Sequence, residues 1–96
     1  MYGTVARCRV KPGMGAQFID YSRRYETAKV PGLVALHLYR MDTNSNEYYL
    51  AVVFKSKELY LANAASPEQN ARYTQMMELL VSDPEWHDGE VVYTQR

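Results

Sequence analysis

The order of patterns along the chain predicts an α+β protein of the ferredoxin-like βαββαβ type: a four-stranded antiparallel sheet with its helices on one face. Three observations predict it. Strand-like runs occupy Tyr2 to Val10, Pro31 to Arg40, Tyr48 to Phe54 and Glu90 to Thr94. Helical periodicity fills the gap after the first run and the gap before the last. Between the middle two runs lies a polar segment, Asp42-Thr43-Asn44-Ser45-Asn46, with the composition of a turn.

In the first run Val5, Ala6, Cys8 and Val10 are apolar, while Arg7 and Arg9 share one parity. That is a strand with one dry and one wetter face. Lys11-Pro12-Gly13 ends it, because proline cannot continue a ladder and glycine permits the turn. Met14, Phe18, Tyr21, Tyr25 and Ala28 then recur at steps of three and four, with charged residues between them. Val30-Pro31-Gly32 closes that helix. Both arms of the following hairpin are apolar at nearly every position, so both of its faces need cover. After it, Ser56 fits the N-cap of a short helix running to about Ala65. Ser66-Pro67-Glu68-Gln69 starts another: Ser66 as cap, Pro67 at the first helical position, Gln69 closing a capping box. Tyr73, Met76, Met77 and Leu80 form its apolar stripe, and Asp83-Pro84 stops it. Glu85 to Gly89 reads as a loop before the last strand.

Ninety-six residues, 47% of them hydrophobic, make a single domain over 1–96. A domain of this size buries only roughly 60–70% of its unfolded surface, so association adds stability. Helices cover one face of the sheet, and the doubly apolar hairpin then calls for a second sheet on the other. A two-fold related copy supplies it most simply, which predicts a homodimer.

Eleven basic and eleven acidic residues give zero net charge, and no Lys/Arg run offers a nucleic-acid surface. The single cysteine, Cys8, excludes an intramolecular disulfide and fits a reducing compartment. The N-terminus lacks a signal-peptide pattern, and no apolar run nears the ~20 residues of a membrane span, so a cytoplasmic location is expected. His37 and His87 stand in no metal-ligand spacing, and no phosphate loop, nucleophile elbow or dinucleotide fingerprint is present. No metal and no cofactor are expected. Nine tyrosines and five methionines suit either a thin aromatic core or a cavity for a flat aromatic ligand.

Pro31-Gly32-Leu33 opening the second strand, Phe54-Lys55-Ser56-Lys57-Glu58 leaving the third, and Ser66-Pro67-Glu68 starting the last helix resemble the antibiotic biosynthesis monooxygenase family. The resemblance spans essentially the whole chain and implies a dimeric α+β barrel with a cavity between the sheet and helices of each subunit. The family includes cofactor-independent quinone-forming monooxygenases and heme degraders. The heme degraders use an Asn on the first strand, a Trp on the short helix and a His on the last helix. Alignment on Lys55-Ser56-Lys57 puts Ala6, Asn63 and Tyr73 there, and none matches.

The resemblance therefore implies a monooxygenase acting without cofactor on a small aromatic or quinol compound. That chemistry needs an ionising group, donors for oxyanion charge and walls that exclude water. His37, Asn63 and Tyr73 are the candidate catalytic residues, with His37 as general base, either in the cavity or at the dimer seam. Tyr60, Met76, Met77 and Trp86 are the candidate binding residues, Trp86 being either cavity rim or subunit contact. A non-catalytic dimer binding a small apolar ligand, and an isomerase on the same scaffold, are the alternatives.

Overall fold

A computed structural model describes residues 1–95. The elements run β1 (Tyr2–Arg9), α1 (Gly15–Arg23), α2 (Tyr25–Ala28), β2 (Leu33–Arg40), β3 (Glu47–Phe54), α3 (Lys57–Ala64), α4 (Pro67–Met77) and β4 (Glu85–Glu90). The strands form one antiparallel sheet in the order β2-β3-β1-β4, the ferredoxin-like arrangement the pattern predicts. The expected first helix is two pieces that break at Arg24. Phe18 and Tyr21 carry the buried stripe, and Ala28 is exposed.

Alternation along β1 sorts the sheet into two faces. Thr4, Ala6 and Cys8 are buried under the helices, opposite Val52, Leu50 and Tyr48 of β3. Phe18, Tyr21, Met76 and Leu80 close over them from the helical side. Phe18 meets Tyr48 edge to face at 5.3 Å between ring centroids, a favourable aromatic geometry. The opposite parity forms an uncovered face. There His37, Ala51, Val5 and His87 lie in one transverse row across all four strands. Arg7, next along that face, binds Glu47 at 2.7 Å and Glu85 at 3.0 Å. The hydrogen bond that Arg7 donates to Glu47 is the largest influence holding its guanidinium above its ordinary pKa.

The caps follow the sequence. Ser56 accepts from the Leu59 N–H and Ser66 from the Gln69 N–H, with Pro67 in the first turn. Gln69 does not close the box. Its side-chain oxygen instead accepts from the Tyr25 hydroxyl at 3.1 Å and from Arg72 Nε at 3.0 Å. Gly32 has φ +80°, and a Cβ there would stand 2.6 Å from Leu59 Cδ1. Its carbonyl accepts from the Lys55 N–H, so this glycine locks the start of β2 to the end of β3 and to α3.

The last strand differs from expectation. It covers Glu85 to Glu90, not Glu90 to Thr94. Asp and Gly in Trp86-His87-Asp88-Gly89 suggest a loop, yet this segment pairs along β1 from Ala6 to Gly3. The Val91 N–H reaches the Met1 carbonyl, and no further ladder pairing is described beyond it. Val92 and Tyr93, with good β propensity, remain exposed. Pairing along an available edge outweighed local preference.

Candidate functional site

A cavity of about 390 Å³ lies between the sheet and the helices. Its walls are apolar, with Phe18, Leu36, Leu50, Val52, Phe54 and Met76 among them. Polar groups enter from three sides: Tyr21, Ser22 and Tyr25 from α1 and α2; Tyr60 and Asn63 from α3; Gln69, Asn70 and Tyr73 from α4. Thr4 of β1 and Trp86 and Asp88 of β4 complete the lining along the sheet. A concave, mostly apolar wall with placed polar groups is a common form of a small-molecule site.

Of the expected residues, Asn63, Tyr73, Tyr60, Met76 and Trp86 converge on this cavity. Asn63 stands in the last turn of α3, where its backbone carbonyl accepts from the Ser66 N–H and hydroxyl. The cap that starts α4 therefore also anchors the backbone of Asn63. Tyr73 comes one and a half turns into α4, its ring 6.3 Å from that of Trp86 at a tilt of 40°. Trp86 is 42% exposed, so it forms part of the rim.

Two expected residues lie elsewhere. Met77 packs against the core cluster and does not line the cavity. His37 is exposed on the uncovered face, opposite Ala51, and the sheet separates it from the cavity. Strand parity is the reason: Leu36 and Leu38, its neighbours, take the helix side opposite Val52 and Leu50. No lysine, arginine or histidine lines the cavity among the described residues, and Asp88 is its one acidic residue.

Sequence reasoning missed Thr4, Asp88 and the hydrogen-bonded group of Tyr21, Tyr25 and Gln69. The parity of β1 could have given Thr4, which shares it with Ala6 and Cys8. Asp88 was hidden by the misplaced last strand. The Tyr21 and Tyr25 hydroxyls are 3.3 Å apart, and Arg72 stacks over the Tyr25 ring at 5.1 Å. Burial first, and the hydrogen bond to Tyr25 second, raise the Tyr21 phenol well above its ordinary pKa. Tyr60 donates to Asp88 Oδ1 at 2.9 Å, and burial followed by that bond pushes it up to about 12. Both phenols are thus neutral donors at pH 7 rather than bases. Among the described residues no three His, Cys, Asp or Glu side chains converge as a metal site, and no helix is long and apolar enough to cross a membrane.

The fold and cavity define a class: a small α+β protein with a cavity between one antiparallel sheet and its helices. Within it, the chain belongs to the antibiotic biosynthesis monooxygenase family, whose model matches residues 1–73. No curated protein sequence matches it. Among solved structures it resembles SnoaB, a cofactor-independent oxygenase from Streptomyces nogalater, at 23% identity and TM-score 0.82, over 97% of this chain and 94% of that one. A Chloroflexus aurantiacus protein assigned to the same family superposes at TM-score 0.81 with 18% identity, over 99% of this chain and 96% of that one. A conserved protein from Methanosarcina mazei does so at 0.78 with 20% identity, over 92% and 89%. At such identities these likenesses speak for the fold.

Proposed function

We propose that the chain is a cofactor-independent monooxygenase acting on a small aromatic or quinol compound. The supporting observation is the cavity between sheet and helices, mostly apolar in its walls and supplied with phenol and amide groups, in a chain of this family. Conversion of a phenol to a quinone by dioxygen balances without a cofactor: one oxygen atom enters the ring, the other leaves as water, and the substrate supplies all four electrons. The protein's task is then to hold the electron-rich substrate away from water and to favour developing oxyanion charge. In this reading Asn63 and Tyr73 donate to the reacting oxygens, while Tyr60, Met76 and Trp86 hold the ring. No step falls to His37.

We assign the working form to a cytoplasmic homodimer in which two uncovered sheet faces pack together. Val5 is 48% and Tyr39 55% exposed in the single chain, Ala51 stands beside Val5 in its row, and Val53 lies in the next row of the same face. The lack of a histidine or lysine among the cavity's described residues favours, as a second reading, a dimer that binds such compounds without turnover.

Oxygen uptake with a panel of hydroquinones and polyphenols separates the two. The enzyme reading expects uptake without added cofactor, lowered about 10- to 100-fold by Asn63→Ala or Tyr73→Phe and unchanged by His37→Ala. No uptake above background across the panel overturns it. Ligand-dependent gains in melting temperature would then leave the binding reading.

A further inference from the structure

The first turns of α4 bring a cation to the edge of the cavity without placing it inside. Gln69, Tyr73 and Met76 follow one another at steps of four and three, and all three line the cavity. Arg72 flanks that stripe and is not in the lining. Its Nε donates to Gln69 Oε1 at 3.0 Å, and the Tyr25 hydroxyl donates to the same oxygen at 3.1 Å. The Arg72 guanidinium also lies over the Tyr25 ring, 5.1 Å from its centroid. These contacts fix the amide. An arginine nitrogen only donates, so the Gln69 atom that faces it is the oxygen, and the Tyr25 proton is committed to that oxygen too. Nε2 stands on the other branch of the planar amide, turned from Arg72, and meets no partner among the described residues.

We propose that Gln69 is a further binding residue of the cavity: an N–H donor for a ligand oxygen that carries no proton, either a quinone carbonyl or the oxygen of an ionised phenol. Arg72 is its positioning residue. Two hydrogen bonds already occupy Oε1, so the amide cannot turn its oxygen to a ligand without breaking both. The ligand therefore meets N–H at this point and nothing that accepts. Donation from a cation onto Oε1 also draws electron density from the amide, which makes Nε2–H the stronger donor. The Arg72 charge reaches this side of the cavity: burial and the bond to Tyr25 raise the Tyr21 phenol, and Arg72 opposes that rise. Positive character thus arrives through a neutral amide, in a lining that holds no cation of its own among the described residues. A site that presents only a donor favours an acceptor oxygen there over a carbon or a second donor. This rests on the reading that the cavity takes oxygenated aromatics, but not on turnover.

Titration calorimetry with 2,3-dimethyl-1,4-naphthoquinone and the hydrocarbon 2,3-dimethylnaphthalene tests it, read beside the infrared carbonyl stretch of the bound quinone. Gln69→Leu removes the donor, while Gln69→Glu still accepts from Arg72 and Tyr25 but brings no N–H. Both should lower quinone affinity about 3- to 10-fold, the scale of one hydrogen bond, and leave hydrocarbon affinity within about twofold. In both the carbonyl band should move up toward its unbonded position. Arg72→Met should lower quinone affinity less and broaden the band, because the amide is then free to turn. The Gln69 backbone N–H keeps its bond to Ser66 Oγ in every variant, so α4 retains its cap, and circular dichroism checks the fold. Unchanged quinone affinity and band position in both Gln69 variants, or an equal loss for the hydrocarbon, overturns this proposal alone. Binding of neither probe by wild type overturns the cavity reading with it.

Discussion

Two residues next to each other on β1, Arg7 and Cys8, live in different media. Cys8 is wholly buried beneath the helices. Arg7 lies on the uncovered face between two carboxylates. The same contrast runs across the whole sheet, with Thr4, Ala6, Leu50 and Val52 under the helices and Val5, Ala51, His37 and His87 on the other side. The helix side is finished within one chain: it has a core and a cavity. The uncovered side carries apolar side chains between His37 and His87, beside the ion pairs of Arg7, and none of the described residues covers it. One face thus holds the core and the cavity, and the other stays open to association.

The largest effect is expected where the helix face is densest. Phe18 packs edge to face on Tyr48 and stacks at 9° against Tyr21. Phe18→Ala removes that ring from a closed core and is expected to cost about 3–5 kcal/mol in urea unfolding. A loss under 1 kcal/mol would mean that the helices do not seal this face as described.

The uncovered face should respond in the opposite way. Val5→Asp puts a charge in the middle of the His37–Ala51–Val5–His87 row. It is expected to cost the single chain about 1 kcal/mol or less, because the site is half exposed and open to water. Dimerisation followed by sedimentation equilibrium should weaken at least about 100-fold, since an unpaired charge would be buried at the seam. A dimer that survives this change packs through some other surface.

Much of this contrast is legible in the sequence, for local reasons. The caps at Ser56 and Ser66, the stop at Pro31-Gly32 and the polar turn at residues 42–46 are short-range chemistry, and the structure forms them where the residues say. The cavity is legible in part. Asn63 and Tyr73 sit on helices whose starts are marked by their caps, so their phase can be followed. His37 stands in a run that is apolar throughout, where sequence shows no wet face from which to count parity. Pairing with β3 assigns it to the uncovered side. Asp88 and Trp86 depend on which segment pairs with β1, and that is a long-range choice which overrides the stronger β propensity of Val91 to Thr94. Thr4 was countable from β1 alone.

The smallest expected effect returns to the β1 neighbours. Burial pushes the Cys8 thiol up to about 11, from 9.0 in an open chain. An acid whose pKa is higher in the folded state adds stability that is full below the unfolded value. That contribution is lost as pH climbs, because the unfolded thiol sheds its proton while the folded one keeps it. The melting temperature should therefore decline between pH 9 and pH 11. Tyr21 and Tyr60, also raised by burial, add to the decline from their ordinary value of 10.0 upward. Cys8→Ala lowers the whole curve by the lost packing but should make its first part, from pH 9 to pH 10, shallower by a few degrees. Arg7→Ala, one residue away, should leave that part of the curve parallel to wild type, since the guanidinium stays protonated throughout. Equal slopes in all three proteins would mean that Cys8 reaches water, and that the boundary between the two faces is less sharp than the one-residue step from Arg7 to Cys8 implies.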